Sequence, residues 1–152
     1  FTDGSVDFGT GMMSDPQGGR AGWLARYEEA DGAPLLARLF TGSGTQEANK
    51  LAVDAHDHLH IVGRFANTMN YSTVSIESAG SNDGFLAKTD AGGSHIWNRS
   101  FGSTGNDETR SVALDSDGFI YVLGNFQETV NFGTGNLMSQ GSTDIFMAKY
   151  AP

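Results

Sequence analysis

The segment Asp54-Ala55-His56-Asp57-His58-Leu59-His60 holds three of the four histidines in the chain. Imidazoles at alternate positions of an extended segment point to one side, so two of them beside a carboxylate have the donor types that hold zinc or a related metal. A second acidic segment, Asp115-Ser116-Asp117-Gly118, offers oxygens to calcium, yet fewer than a twelve-residue calcium loop with its bidentate glutamate. The 18 acidic residues could also furnish a carboxylate pair for glycan hydrolysis. There is no Gly-x-Ser-x-Gly elbow for a nucleophilic serine. Cysteine is absent, which excludes disulfides and thiolate chemistry and leaves the redox compartment open.

The elements that position these residues come in copies. Shifting the sequence by 61 residues lays 40–88 on 101–149 without a gap, with 17 of the 49 positions identical. Asp54 falls on Asp115, Gly63 on Gly124, Phe65 on Phe126, Asn70 on Asn131, Asp83 on Asp144 and Lys88 on Lys149. A more divergent earlier copy supplies Val6 to Gly11 and Trp23 to Tyr27. Each unit divides into four strand-sized pieces. Leu51-Ala52-Val53 is followed by an Asp-rich turn and by Leu59 to Val62, an innermost hairpin. A long Gly/Ser/Thr-rich connection leads to Phe85 to Lys88, and the tight turn Asp90 to Gly93 leads to an outer strand around Ile96-Trp97. With 21 glycines, 3 prolines and no helical stripe, this predicts an all-β chain with almost no helix, built of four-stranded antiparallel β-propeller blades.

The expected division is 1–40 as the C-terminal part of one blade, 41–101 as a full blade and 102–152 as most of a further blade, an incomplete array of roughly two and a half blades. Such a piece cannot close a ring. The remaining blades of the same propeller, or neighbouring subunits, are therefore expected along both terminal blades. The chain opens on Phe1 inside the repeat and is read as part of a longer product. Alone, it is expected to self-associate through apolar faces carrying Trp23, Phe85 and Phe146.

The pattern Leu114-Asp115-Ser116-Asp117-Gly118-Phe119-Ile120-Tyr121-Val122-Leu123-Gly124, then Asn131-Phe132-Gly133, then Asp144-Ile145-Phe146-Met147-Ala148-Lys149, together with Trp97 and Phe101-Gly102, resembles the bacterial seven-bladed β-propeller repeat, the SBBP type. The first unit departs from it, with Ala21 in place of the Asp and Arg26 in place of the Lys. The resemblance implies a secreted or surface-attached protein and brings no catalytic signature. Asp90 to Trp97 is superficially similar to the Asp-box turn of sialidase propellers, but its Asp-to-Trp spacing differs.

The repeat also bears on the chemistry. His58 and His60 align with Phe119 and Tyr121, and His56 with Asp117, so His60 is assigned to an aromatic packing slot and His56 to a turn-carboxylate slot. On this ground no metal site and no cofactor are expected, and zinc titration should be flat. The Asp turns are read as Asp side chains bonding their own backbone. Asp83 with Lys88 and Asp144 with Lys149, recurring once per unit, are read as caps or inter-blade ion pairs.

Both tight turns of a blade emerge on one face and the long connections on the other. The long-loop face offers Gln46, Glu47, Asn49, Asn106, Asp107, Glu108 and Arg110 as ligand-binding candidates. A net charge of −9 disfavours nucleic acid and anionic membrane surfaces, and no apolar run is long enough to span a bilayer. The expected function is a non-enzymatic extracellular or cell-surface module that binds a glycan or protein. A structural or assembly scaffold and a carboxylate-dependent glycan hydrolase are the alternatives.

Overall fold

The structure is a computed structural model that describes residues 4–152. Its regular elements are fifteen β-strands, with no helix among the described residues and hence none long and apolar enough to cross a membrane. A four-stranded antiparallel sheet forms the middle. It is built from β5 (Gln46–Val53), β6 (Leu59–Phe65), β9 (Asp83–Thr89) and β10 (His95–Phe101), in the spatial order β10-β9-β6-β5. On one side lies a two-stranded sheet of β3 (Gly22–Tyr27) and β4 (Pro34–Phe40). On the other lies a three-stranded sheet of β11 (Glu108–Leu114), β12 (Ile120–Phe126) and β15 (Asp144–Tyr150), ordered β11-β12-β15.

Successive side chains of a strand alternate between faces, and the middle sheet is apolar on both. Leu59, Ile61 and Phe65 of β6, with Phe85 and Ala87 of β9, join Leu24, Leu36 and Phe40 of the first sheet. Val62 and Leu86, the intervening residues, join Val112, Ile120, Val122 and Phe146 of the third sheet. Burying each of these large side chains is worth about 1.5–3 kcal/mol. The expectation that Phe85 and Phe146 lie partly uncovered is corrected: both are buried within these two clusters, whereas Trp23 is indeed exposed.

The long connection also differs from the sequence reading. It contains a separate hairpin in each unit: β1 (Ser5–Asp7) with β2 (Met12–Ser14), β7 (Thr68–Tyr71) with β8 (Val74–Glu77), and β13 (Thr129–Asn131) with β14 (Asn136–Met138). These strands are three or four residues long, so although β7 and β8 alternate polar and apolar side chains, runs this short give little signal inside a Gly/Ser/Thr-rich connection. The second and third hairpins nevertheless each bring one aromatic into the core. Tyr71 stacks on Phe40 with ring centroids 4.3 Å apart, and the aligned pair Phe132 and Phe101 lies at 5.7 Å.

Candidate functional site

The seven candidates of the long-loop face occupy two different environments. Gln46 is fully buried at the start of β5; its Nε2 donates to the Thr68 carbonyl and its Oε1 has no partner. Asp107, buried just before β11, accepts from the Ser103 N–H and hydroxyl on one oxygen and from the Gln127 N–H on the other. These two side chains tie loops to strands and are closed to a ligand, which corrects their reading as exposed binding groups. The identities could have hinted at this, since both sit one residue before a recurring glutamate, at the same step of the repeat.

That glutamate, Glu47 or Glu108, anchors the accessible part. Glu47 Oε2 pairs with Arg64 Nε at 2.8 Å, and Glu108 Oε2 with Arg110 Nη2 at 2.8 Å. Asn49 Nδ2 reaches from β5 to Glu108 Oε1 at 2.9 Å and to the Thr109 carbonyl at 3.0 Å. Arg110 Nε donates to Asn125 Oδ1, while Asn106 Oδ1 accepts from Asn82 Nδ2 at 2.7 Å. Asn49, Asn106 and Arg110 are exposed, Glu47 is half-buried and Glu108 is buried. The result is a polar network of alternating charge spanning the starts of β5 and β11, strands of two successive units.

Beneath it lies a residue that the sequence reading passes over. The buried Thr109 hydroxyl accepts from the N–H groups of Gly63 (3.0 Å) and Phe85 (3.2 Å) and lies 2.6 Å from each of their carbonyl oxygens, to one of which it donates. A single side chain of the third sheet is thereby bonded to a facing residue pair on β6 and β9 of the middle sheet. Its aligned residue is Ala48, so the repeat itself gives no signal for this bond.

The tight turns form as expected. Asp54 Oδ1 accepts from the N–H groups of His56 and His58, Asp90 Oδ1 from Gly92 and Ser94, and Asp115 Oδ1 from Asp117 and Phe119. The second oxygen of Asp54 meets Lys88 Nζ at 3.1 Å, His58 Nδ1 at 3.0 Å and His60 Nε2 at 3.3 Å. The counterpart oxygen of Asp115 accepts from Tyr121 OH at 3.1 Å and faces Lys149 Nζ at 3.8 Å. His60 is thus the imidazole replacement for a tyrosine: it is buried, edge-on to Trp97, and bonded to the same turn carboxylate. Lys88 and Lys149 pair with the turn aspartates of their own unit and not with Asp83 or Asp144, which corrects the ion-pair reading. Asp83 and Asp144 cap the N–H groups of Ala79 and Gln140 instead. Burial opposes the charge of Asp54, but the His58 and His56 N–H groups with Lys88 and His60 outweigh it and hold its pKa well below the carboxylate range.

Asp83 titrates in the opposite sense. Burial pushes its pKa up, the Ala79 N–H offsets part of this, and the charge of Asp107 adds to the rise; Oδ1 is buried without a partner. A carboxylate whose pKa is raised on folding contributes most below its unfolded pKa, and that contribution is lost as the pH rises through the folded value. Asp83→Asn should therefore match the wild type near pH 4 and gain in relative melting temperature as the pH rises to 7. A circular-dichroism melt series across that range checks it, and a difference that shrinks with rising pH would contradict the assignment.

Residues 96–125 match the family described as SBBP, a β-propeller repeat. The matched stretch runs from β10 through the β11–β12 hairpin, and it contains the Asp107–Arg110 segment, the Asp115 turn and Tyr121. A comparison with curated proteins finds no match to the chain. The Asp115 turn and the β11–β12 hairpin behind it lie within this matched stretch, so residues 96–125 are similar in sequence to the SBBP β-propeller repeat and form the antiparallel strands that the repeat reading expects.

Proposed function

We propose that the chain forms blades of a β-propeller, secreted or displayed at a cell surface, that binds a glycan or protein through its long-loop face without catalysing a reaction. The observation that carries this reading is the Glu47–Arg64, Asn49–Glu108–Arg110–Asn125 network. It sets fixed donors and acceptors side by side on rigid strands, which is what recognition of hydroxyl-rich or polar surfaces needs. Retention on a glycan array that is lost in an Asn49→Ala, Arg110→Ala variant is the expected result. No retained glycan would refute the glycan form, and cleavage of a retained glycan would replace binding with hydrolysis.

A further inference from the structure

We propose that the β5–β6 turn binds one divalent cation of the zinc type through the imidazoles of His56 and His58 and the carboxylate of Asp54. Among the described residues these three side chains form a group whose ligand atoms all lie within 4.8 Å of one another. Tetrahedral ligands at about 2.0–2.1 Å from zinc stand about 3.3 Å apart, so the group needs a contraction of about 1.5 Å at most. Half-exposed and exposed side chains such as His58 and His56 can supply that by rotamer adjustment. The two imidazoles already lie nearly parallel, with ring centroids 5.9 Å apart and an interplanar angle of 26°.

The expectation of a flat zinc titration rested on the repeat slots of all three histidines, but the structure shows a buried packing slot at His60 alone. His60 is buried, its Nε2 takes over the bond that Tyr121 makes in the next unit, and it is no part of the group. At His56 and His58 the aligned residues are Asp117 and Phe119, so this turn alone among the Asp turns of the middle and third sheets carries two imidazoles.

The turn also pre-organises the carboxylate. The N–H groups of His56 and His58 fix Asp54 Oδ1 and so aim Oδ2, which already meets His58 Nδ1 at 3.0 Å and His60 Nε2 at 3.3 Å, as the ligand oxygen. Oδ2 now faces the Lys88 ammonium at 3.1 Å, and a bound dication must displace that group. Lys88 therefore competes with the metal, and removing its charge strengthens binding. Two nitrogens and one oxygen suit zinc, copper or nickel and not calcium, which takes six to eight oxygens.

The test is calorimetric titration of the chain with Zn²⁺, with Ca²⁺ as control. Expected are one zinc per chain at micromolar affinity, no calcium binding, and a loss of at least about tenfold in both His56→Ala and His58→Ala, since even an outer-shell partner's removal costs that much. His60→Tyr, which copies the residue at position 121, should fold and bind as the wild type does, and Lys88→Met should bind more tightly. Absence of zinc binding, or its survival in the His56→Ala, His58→Ala double variant, would overturn the proposal. Loss confined to His60→Tyr, or an affinity unmoved by Lys88→Met, would overturn the ligand set.

Discussion

Gly63→Ala is expected to destabilise the chain by about 3 kcal/mol or more, the upper end of what overpacking a core costs. A methyl at position 63 would lie 1.8 Å from the Glu47 carbonyl oxygen and 2.8 Å from a ring carbon of Phe85. The first of these is backbone of the paired strand and cannot swing away as a side chain would, so the β5–β6 ladder itself must open. The aligned Gly124 meets the Glu108 carbonyl oxygen at 2.0 Å, which makes this glycine a fixed requirement of the unit. Urea unfolding followed by circular dichroism measures the loss. Gly4→Ala, where no described residue lies within 4 Å of the added methyl, serves as the neutral control. A loss for Gly63→Ala no larger than for Gly4→Ala would show that the strands accommodate the methyl.

Thr109→Val keeps the shape of the side chain and deletes the hydroxyl, and it should cost about 2–3 kcal/mol. Two buried N–H groups, those of Gly63 and Phe85, would lose an acceptor, and each unsatisfied buried donor costs about 1–3 kcal/mol. The loss has a distinctive profile: Thr109→Ser, which retains the hydroxyl, should recover most of it. If Val and Ser variants unfold at the same urea concentration, packing of the methyl and not the hydroxyl is what matters at this position.

The repeat, the strand hairpins, the Asp turns and the slot of His60 were all legible in the sequence. Each leaves a trace that survives translation by 61 residues: an aspartate, a glycine, an aromatic at a constant step. The hairpin β7–β8 was not legible, because Met69, Tyr71, Val74 and Ile76 alternate with polar residues over only four residues per strand, and it is the packing of Met69 and Tyr71 onto a core made by other segments that distinguishes it. The polar network at the starts of β5 and β11 was half legible. Glu47 and Glu108 recur and were marked, but residue type alone does not distinguish Gln46, spent on Thr68, from Asn49, exposed and reaching to the next unit. Thr109 could not be found by the repeat at all, since its whole role is a difference from Ala48.

That difference between Thr109 and Ala48 makes the two junctions of the middle sheet unequal. In stacked repeats, stability is a sum of unit terms and nearest-neighbour terms, so the weaker junction opens at a lower free energy than the whole chain. The junction with β11 is bonded through a hydroxyl to the backbone of β6 and β9, while on the side of β3 the aligned residue is the exposed Ala48, which has no hydroxyl and leaves that junction its backbone bonds, such as Gln46 N–H to the Arg20 carbonyl. Amide protons of β3 and β4 should therefore exchange with solvent through a partial opening, whereas those of β6, β9 and β12 share the slow exchange of global unfolding. The chain then behaves as a cooperative pair of sheets carrying a more loosely held third, a hierarchy written by one hydroxyl group.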